Sequence, residues 1–485
     1  MLALDVFRGL DRAGVRYCIW KGSVHLDASL AGESDLDVLI EAGQRDAAYG
    51  VFASHGCRTT RVAPRRADVG VEDILGFDPR TGRMVHFHVY HRLVLGERHL
   101  DRYRLPWERS VLEARRSVGD VYLADPADEA VLLLIRAALR LTVTARAFTR
   151  LGIANRGLPA ELDWLVRRTD RTQFLKTLEG RLGRAAVRDG ERCLERGPTA
   201  ADLASLRQKA KRVLASQRSV RGPRAVARRW LRIGAWARRG VYRRYLERPS
   251  FLARGPLGGG MLVAIVGADG SGKSSLAWDL RRSLSEKLDV MYVYLGSGDG
   301  PASLIRWPMK VVHRRLLRTG RRPGEQREGG RDAGWLGLAR VVWALALANE
   351  KQRKLSKAMI ARSRGLIVIC DRYPQTQFPG QNDGPLLSAW RSSPSAIRRS
   401  LARYEGRPYL LAAILVPDLV LRLNVDEATA LARRPNLDPE YLRRRIELTS
   451  VLSFEGSLFG AVELDSTQPY RQVFGQAVEA IWART

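Results

Sequence analysis

Met261–Ser275, MLVAIVGADGSGKSS, is the stretch whose reading decides the chain. Leu262–Val266 is a short, branched, apolar run with the length of a buried parallel strand. It runs directly into Gly267, Ala268, Asp269, Gly270, Ser271, Gly272, Lys273 and Ser274, which match GxxxxGK[ST] at each fixed position. Glycines let the backbone curl until successive N–H groups converge on phosphate oxygens. The helix that begins at Lys273, Ser274 and Ser275 aims its positive end at the same anion. Lys273 reaches for the β- and γ-phosphates, and the Ser274 hydroxyl suits a Mg²⁺ ligand. Leu276, Leu280, Leu284 and Leu288 then recur at helical spacing, as a stripe that packs on a sheet. The expectation is a site for ATP or GTP with Mg²⁺.

The sequence that follows extends the pattern. Leu366–Cys370 is an apolar strand that ends in Asp371-Arg372-Tyr373, placing a carboxylate where a Mg²⁺-organising acid belongs beside a phosphate loop. Pro417–Asp426 reads as another buried strand and leads into a helical segment carrying Arg433, Arg434 and Arg443–Arg445. Ala461–Leu464 is a last strand ending at Asp465, followed by a helix with Val473, Phe474, Ala477, Val478, Ile481 and Trp482 on one face. Strands alternating with helices predict an α/β domain over 258–485, a parallel sheet flanked by helices.

The phosphate loop, the DRY junction, PDLVLRLNVD and the closing strand with its helix together resemble the thymidylate kinase family. The resemblance implies a phosphotransferase acting on a nucleoside monophosphate such as dTMP, or on a related small acceptor. It implies that Asp269 faces the acceptor and that Arg372 holds the acceptor's phosphate. Arginines of a mobile lid, here Arg433, Arg434 or Arg443–Arg445, would close over the transferred group. Many members carry an arginine inside the loop, where this chain has Gly270. After DRY the chain reads PQTQFPGQNDGPLL, without the run such kinases use around the base. Another nucleotide, a phosphosugar or a small hydroxyl compound stay open as acceptors.

Residues 1–124 carry a second signature. Val15–Trp20 reads as a strand, Lys21-Gly22-Ser23 as a turn, and Asp35-Leu-Asp37-Val-Leu-Ile as a second strand. Residues i and i+2 of a strand share a face, so Asp35 and Asp37 project together, a costly pairing without a cation between them. Mg²⁺ fits oxygen ligands, and a Gly22-Ser23 turn facing it fits a triphosphate. GS followed by DxD resembles the polymerase-beta-like nucleotidyltransferases, which implies an α+β fold and a third carboxylate from a later strand. The candidate strand, Met84–Tyr90, has no acid; His86 and His88 share one of its faces, and imidazole suits softer ions than Mg²⁺.

Residues 125–216 read as helices, opened by Asp125 as cap and Pro126 at the first position. Residues 217–257 read as a basic helix and linker, with eleven arginines and one acid between Arg218 and Arg248. Its apolar stripe beside the arginines suits an anionic membrane surface, nucleic acid, or a domain face. The chain's net charge is +31, and it is unevenly spread. Residues 1–124 hold 18 Lys/Arg against 17 Asp/Glu, residues 125–257 hold 30 against 12, and residues 258–485 hold 34 against 22. Anionic partners follow. Cys18, Cys57, Cys193 and Cys370 lie far apart with no CxxC pair, which argues against a disulfide framework or a zinc site. The absence of a secretory layout at the N-terminus gives a cytoplasmic expectation, with peripheral membrane contact through the arginines. The rival to the kinase reading is an ATP-gated binding protein at an anionic surface, with little catalysis.

Overall fold

A computed structural model of the chain describes residues 1–61, 70–96, 102–141, 157–218, 254–296 and 334–485, with a few single positions between 227 and 234. It divides into two compact units, Met1–Glu247 and Arg248–Thr485. The arginine-rich stretch from Arg218 to Arg248 lies almost wholly outside the described residues.

In the first unit the strands are β1 (Tyr17–Lys21), β2 (Leu36–Ile40), β3 (Arg58–Arg61), β4 (Val71–Asp78), β5 (Arg83–Tyr90), β6 (Leu93–Gly96), β7 (Arg102–Leu105), β8 (Arg116–Val118) and β9 (Val121–Leu123). The mixed sheet runs β3-β4-β5-β2-β1-β9-β8, with β6 and β7 paired apart. Alternation along each strand gives the sheet two apolar faces. On one, Phe7 from Leu2–Arg12 and Phe52 from Arg45–Ser54 meet Val38 and Phe87. On the other, Trp20, Leu39 and Tyr90 share a core with Leu134, Leu162 and Phe174 of the helices that follow. The helices of 125–216 are therefore packed on the strands before them and do not form a body of their own. Asp125 caps Pro126–Arg140 as expected, accepting from the Ala127 N–H at 2.9 Å.

The second unit holds β10 (Met261–Gly267), β11 (Val290–Tyr294), β12 (Ile367–Asp371), β13 (Leu419–Asn424) and β14 (Ala461–Asp465), in the order β11-β12-β10-β13-β14. All pairings are parallel. The expected α/β sheet is thus present. Leu262, Ala264 and Val266 share a core with Leu355, Ala358 and Ala361 of the helix Gly334–Ser363. The leucine stripe of Lys273–Ser285 is buried as its spacing demands, with Leu276, Leu280 and Leu284 all at 0 % exposure. Each such side chain contributes about 1.5–3 kcal/mol by leaving water. No helix among the described residues is long and apolar enough to cross a membrane. All four cysteines are buried and free.

The sheet separates stability from chemistry by its two ends. Asp418, 5 % exposed, sits at the N-terminal end of the strands, where its carboxylate accepts from the Leu262 N–H at 2.7 Å and from Arg362. Asp371 sits at the opposite, C-terminal end. Asp418→Ala strands a buried N–H and a guanidinium, and should cost about 2–3 kcal/mol in urea unfolding. Nucleotide affinity of the folded variant should match that of the parent. A loss of affinity at unchanged stability would contradict this division.

Candidate functional site

The phosphate loop leaves β10 at its C-terminal end, between neighbours β12 and β13, where parallel sheets form ligand crevices. Gly270 and Gly272 both sit at left-handed backbone angles, φ +85° and +87°. A side chain at Gly270 would also meet the Ala430 carbonyl at 2.9 Å, so the loop has no room for an arginine there. Ser274 and Ser275 lie exposed at the helix start, Ala268 is buried, and Ser271 is buried beneath the loop.

Lys273 is the first helical residue and only 5 % exposed. Its ammonium donates to the Ala268 carbonyl at 2.5 Å. Burial pushes this group down to about 7, with Arg372 and Arg445 adding repulsion and Asp269 and Asp371 pulling the other way. β12 is in register with β10 so that Asp371 lies opposite Ile265. The Asp371 carboxylate is fully buried, with one oxygen accepting from Tyr292 at 3.0 Å and Oδ1 without a partner among the described residues. A buried, half-satisfied carboxylate next to a hydroxyl-bearing helix start is a hard-oxygen donor set, and it fits Mg²⁺.

Beside the loop lies a cleft of about 210 Å³, lined by Asp269, Lys351, Arg372, Asp383, Tyr441 and Arg445, among others. Arg372 is its centre. It adopts φ 68°, a conformation costing a non-glycine residue about 1 kcal/mol. Its guanidinium bridges Asp269 at 3.0 Å and Asp383 at 3.4 Å. Asp383 also has positive φ, 65°, and such strain gathers at functional sites. Burial would raise the Asp269 carboxyl, but Arg445, Lys273 and Arg372 outweigh it and hold it down to about 2. Lys351, 2 % exposed, donates to the Asp383 carbonyl at 3.1 Å and lies near the Tyr409 hydroxyl at 3.3 Å.

The arginines expected for a lid take distinct places. Arg433 donates to the Gly270 carbonyl at 3.3 Å and to the Ser466 carbonyl at 2.7 Å, tying its helix to the loop. Arg434 is exposed, and Arg443 makes two bonds to Glu427. Arg445 enters the cleft, 3.7 Å from Asp269. Lys351 and Asp383, which complete the cleft, were not singled out by sequence reasoning. Both come from segments with no motif, and only the strand–DRY junction upstream of Asp383 marked the neighbourhood.

In the first unit, Gly22 takes φ 82° and Ser23 is buried. Both Ser23 donors go to Glu129 of the helix Pro126–Arg140, N–H at 3.0 Å and Oγ at 2.6 Å. Asp37 pairs with Lys21 at 2.9 Å and with His88 at 3.3 Å, and Asp35 with His86 at 2.7 Å. An acid does stand beside the two histidines: Asp73, from β4 rather than from Met84–Tyr90. The stretch VEDILGFD carries three acids, Glu72, Asp73 and Asp78, and nothing in it marks Asp73 over the other two.

No protein-family model matches the chain. It is 32 % identical over 225 residues to a protein of Escherichia coli K12 named uncharacterized ATP-binding protein YghR, covering 45 % of this chain and 86 % of that one. It is 30 % identical over 226 residues to uncharacterized ATP-binding protein YghS of the same organism, covering 46 % and 92 %. Among solved structures, deoxyadenosine kinase from M. mycoides, with bound dCTP or dATP, matches 45 % of this chain at 12 % identity and a TM-score of 0.26.

The lowered Lys273 ammonium has a consequence for binding. Near pH 8 the ligand-free group, at about 7, is mostly neutral, and an adjacent polyphosphate favours its charged form. Binding above neutrality therefore takes up a proton, and affinity falls as pH rises. Calorimetry at about pH 8 in buffers of differing ionisation enthalpy should read about one proton taken up per ATP. Uptake near zero would show that the ammonium is already charged in the free protein.

Proposed function

The chain belongs to the family of the ATP-binding proteins YghR and YghS, and from that membership we propose that its second unit transfers the γ-phosphoryl group of ATP to a small anionic acceptor in the Arg372 cleft. The observation that carries this is the adjacency of two sites. A buried Lys273 at a phosphate-loop helix start shares a small pocket with Arg372 and Arg445, which with Lys351 also line the cleft. A protein that only bound ATP would need the first and have no use for the second.

The loop's N–H groups and Lys273 grip the polyphosphate, and water is excluded by the burial of this floor. Ser274 and Asp371 are the residues that would hold Mg²⁺, which when bound neutralises charge between the β- and γ-phosphates. Arg372 and Arg445 position the acceptor and balance the charge that develops on the moving group. Both reactants are anionic, so holding them together against their repulsion is the main contribution.

The cations of the cleft bear on the acceptor's chemistry. Lys351, Arg372 and Arg445 favour an acceptor that already carries negative charge, and so a monophosphate, of a nucleoside or a related small molecule, over a neutral hydroxyl compound.

The test is acceptor-dependent ADP release by the full chain with a panel of nucleoside monophosphates and sugar phosphates. Lys273→Ala should lower kcat by about 10²–10³. Arg372→Ala should raise the acceptor's KM far more than that of ATP. Stoichiometric ATP binding with no acceptor-dependent turnover across the panel would favour the ATP-gated binding protein instead.

A further inference from the structure

Three strands of the first unit bring five side chains into one polar cluster. Register sets Asp37 of β2 opposite His88 of β5, and His88 opposite Asp73 of β4. His86 lies two residues before His88, on the same face. The contacts sort the two nitrogens of each ring. The Nε2 atoms of both histidines converge on Asp73 Oδ1, His86 at 3.3 Å and His88 at 2.7 Å. The Nδ1 atoms point the other way, His86 to Asp35 at 2.7 Å and His88 to Asp37 at 3.3 Å.

That division of labour is the one metal-binding histidines show: one nitrogen toward the ion, the other held by a carboxylate that fixes the ring and raises its basicity. Ligand atoms of Asp73, His86 and His88 all lie within 4.8 Å of one another. Ligands about 2.0–2.1 Å from a tetrahedral ion stand about 3.3 Å apart, so only small adjustments are needed. Asp37 is already engaged by Lys21 and His88, and is better placed as a support than as a ligand.

We propose that Asp73, His86 and His88 bind one divalent transition-metal ion of the Zn²⁺, Co²⁺ and Fe²⁺ class, with Asp35 and Asp37 as its supports. Two imidazoles and one carboxylate select such ions over Mg²⁺. Three protein ligands leave coordination positions open for water or a substrate oxygen. His86 and Asp73 form the floor, at 0 % and 2 % side-chain exposure, while His88 at 22 % gives the ion its way in. The acids that the sequence marks as ligands thus act through the histidines.

The experiment uses the full, tag-free chain, stripped with chelator and titrated with Co²⁺, read by visible d–d absorption and by equilibrium dialysis. One Co²⁺ per chain should bind, be displaced by Zn²⁺, and withstand excess Mg²⁺. His86→Ala and His88→Ala should abolish it. Asp35→Asn and Asp37→Asn should weaken it about 10–100-fold while keeping the one-to-one ratio. Lys273→Ala should leave it unchanged. Absence of stoichiometric Co²⁺, displacement by Mg²⁺, or unchanged binding in the His88 variant would each overturn the proposal. Should His86→Ala lose its native circular dichroism, His88→Gln, at a partly exposed position, decides alone.

Discussion

The burial of Lys273 is the constraint around which the second unit is arranged. An ammonium at 5 % exposure, near Arg372 and Arg445, is a costly concentration of positive charge. Without ligand, the protein offsets it with Asp269 and Asp383, each shared between cations. A polyphosphate does so better, because it supplies several charges at the helix start where the backbone N–H groups already point. Under the proposed phosphotransfer the site would hold anions on both sides of Lys273, the nucleotide's on the loop and the acceptor's in the cleft.

The fold supports that preparation with rigid parts. Arg372 and Asp383 hold strained backbone angles, and Arg372 N–H donates to the Ile265 carbonyl of the central strand at 3.1 Å. Gly270 has no room for a side chain beneath Ala430, so the charge that a loop arginine would bring comes from Arg445 on the helix Pro439–Ser450. Arg433 ties the preceding helix to the same loop. Strain and ion pairing here are affordable because the leucine stripe and the Asp418 bond stabilise the sheet at a distance.

What could be read in the sequence was what is local. The strand–loop–helix around Lys273, the strand ending in Asp371, and the capped helix at Asp125 depend on neighbours in the chain, and each stands as expected. Arg445 could be named only as one of several arginines, because its aim depends on how two helices cross. Lys351 and Asp383 reach the cleft from distant segments with no pattern to mark them. Asp73 stayed hidden for a related reason: it meets His88 only through the pairing of β4 with β5, and register is not written in either strand alone. Glu129, which holds both donors of Ser23, arrives from 106 residues away.

The most direct measurement of the central claim is transfer of label from γ-³²P-labelled ATP. The full chain would be incubated with a filtered small-molecule extract, and the products separated by charge. The account predicts label in a small molecule that already carried a phosphate, and its disappearance with Arg372→Ala. Label recovered only as inorganic phosphate, or remaining on ATP while ATP binds normally, would contradict it.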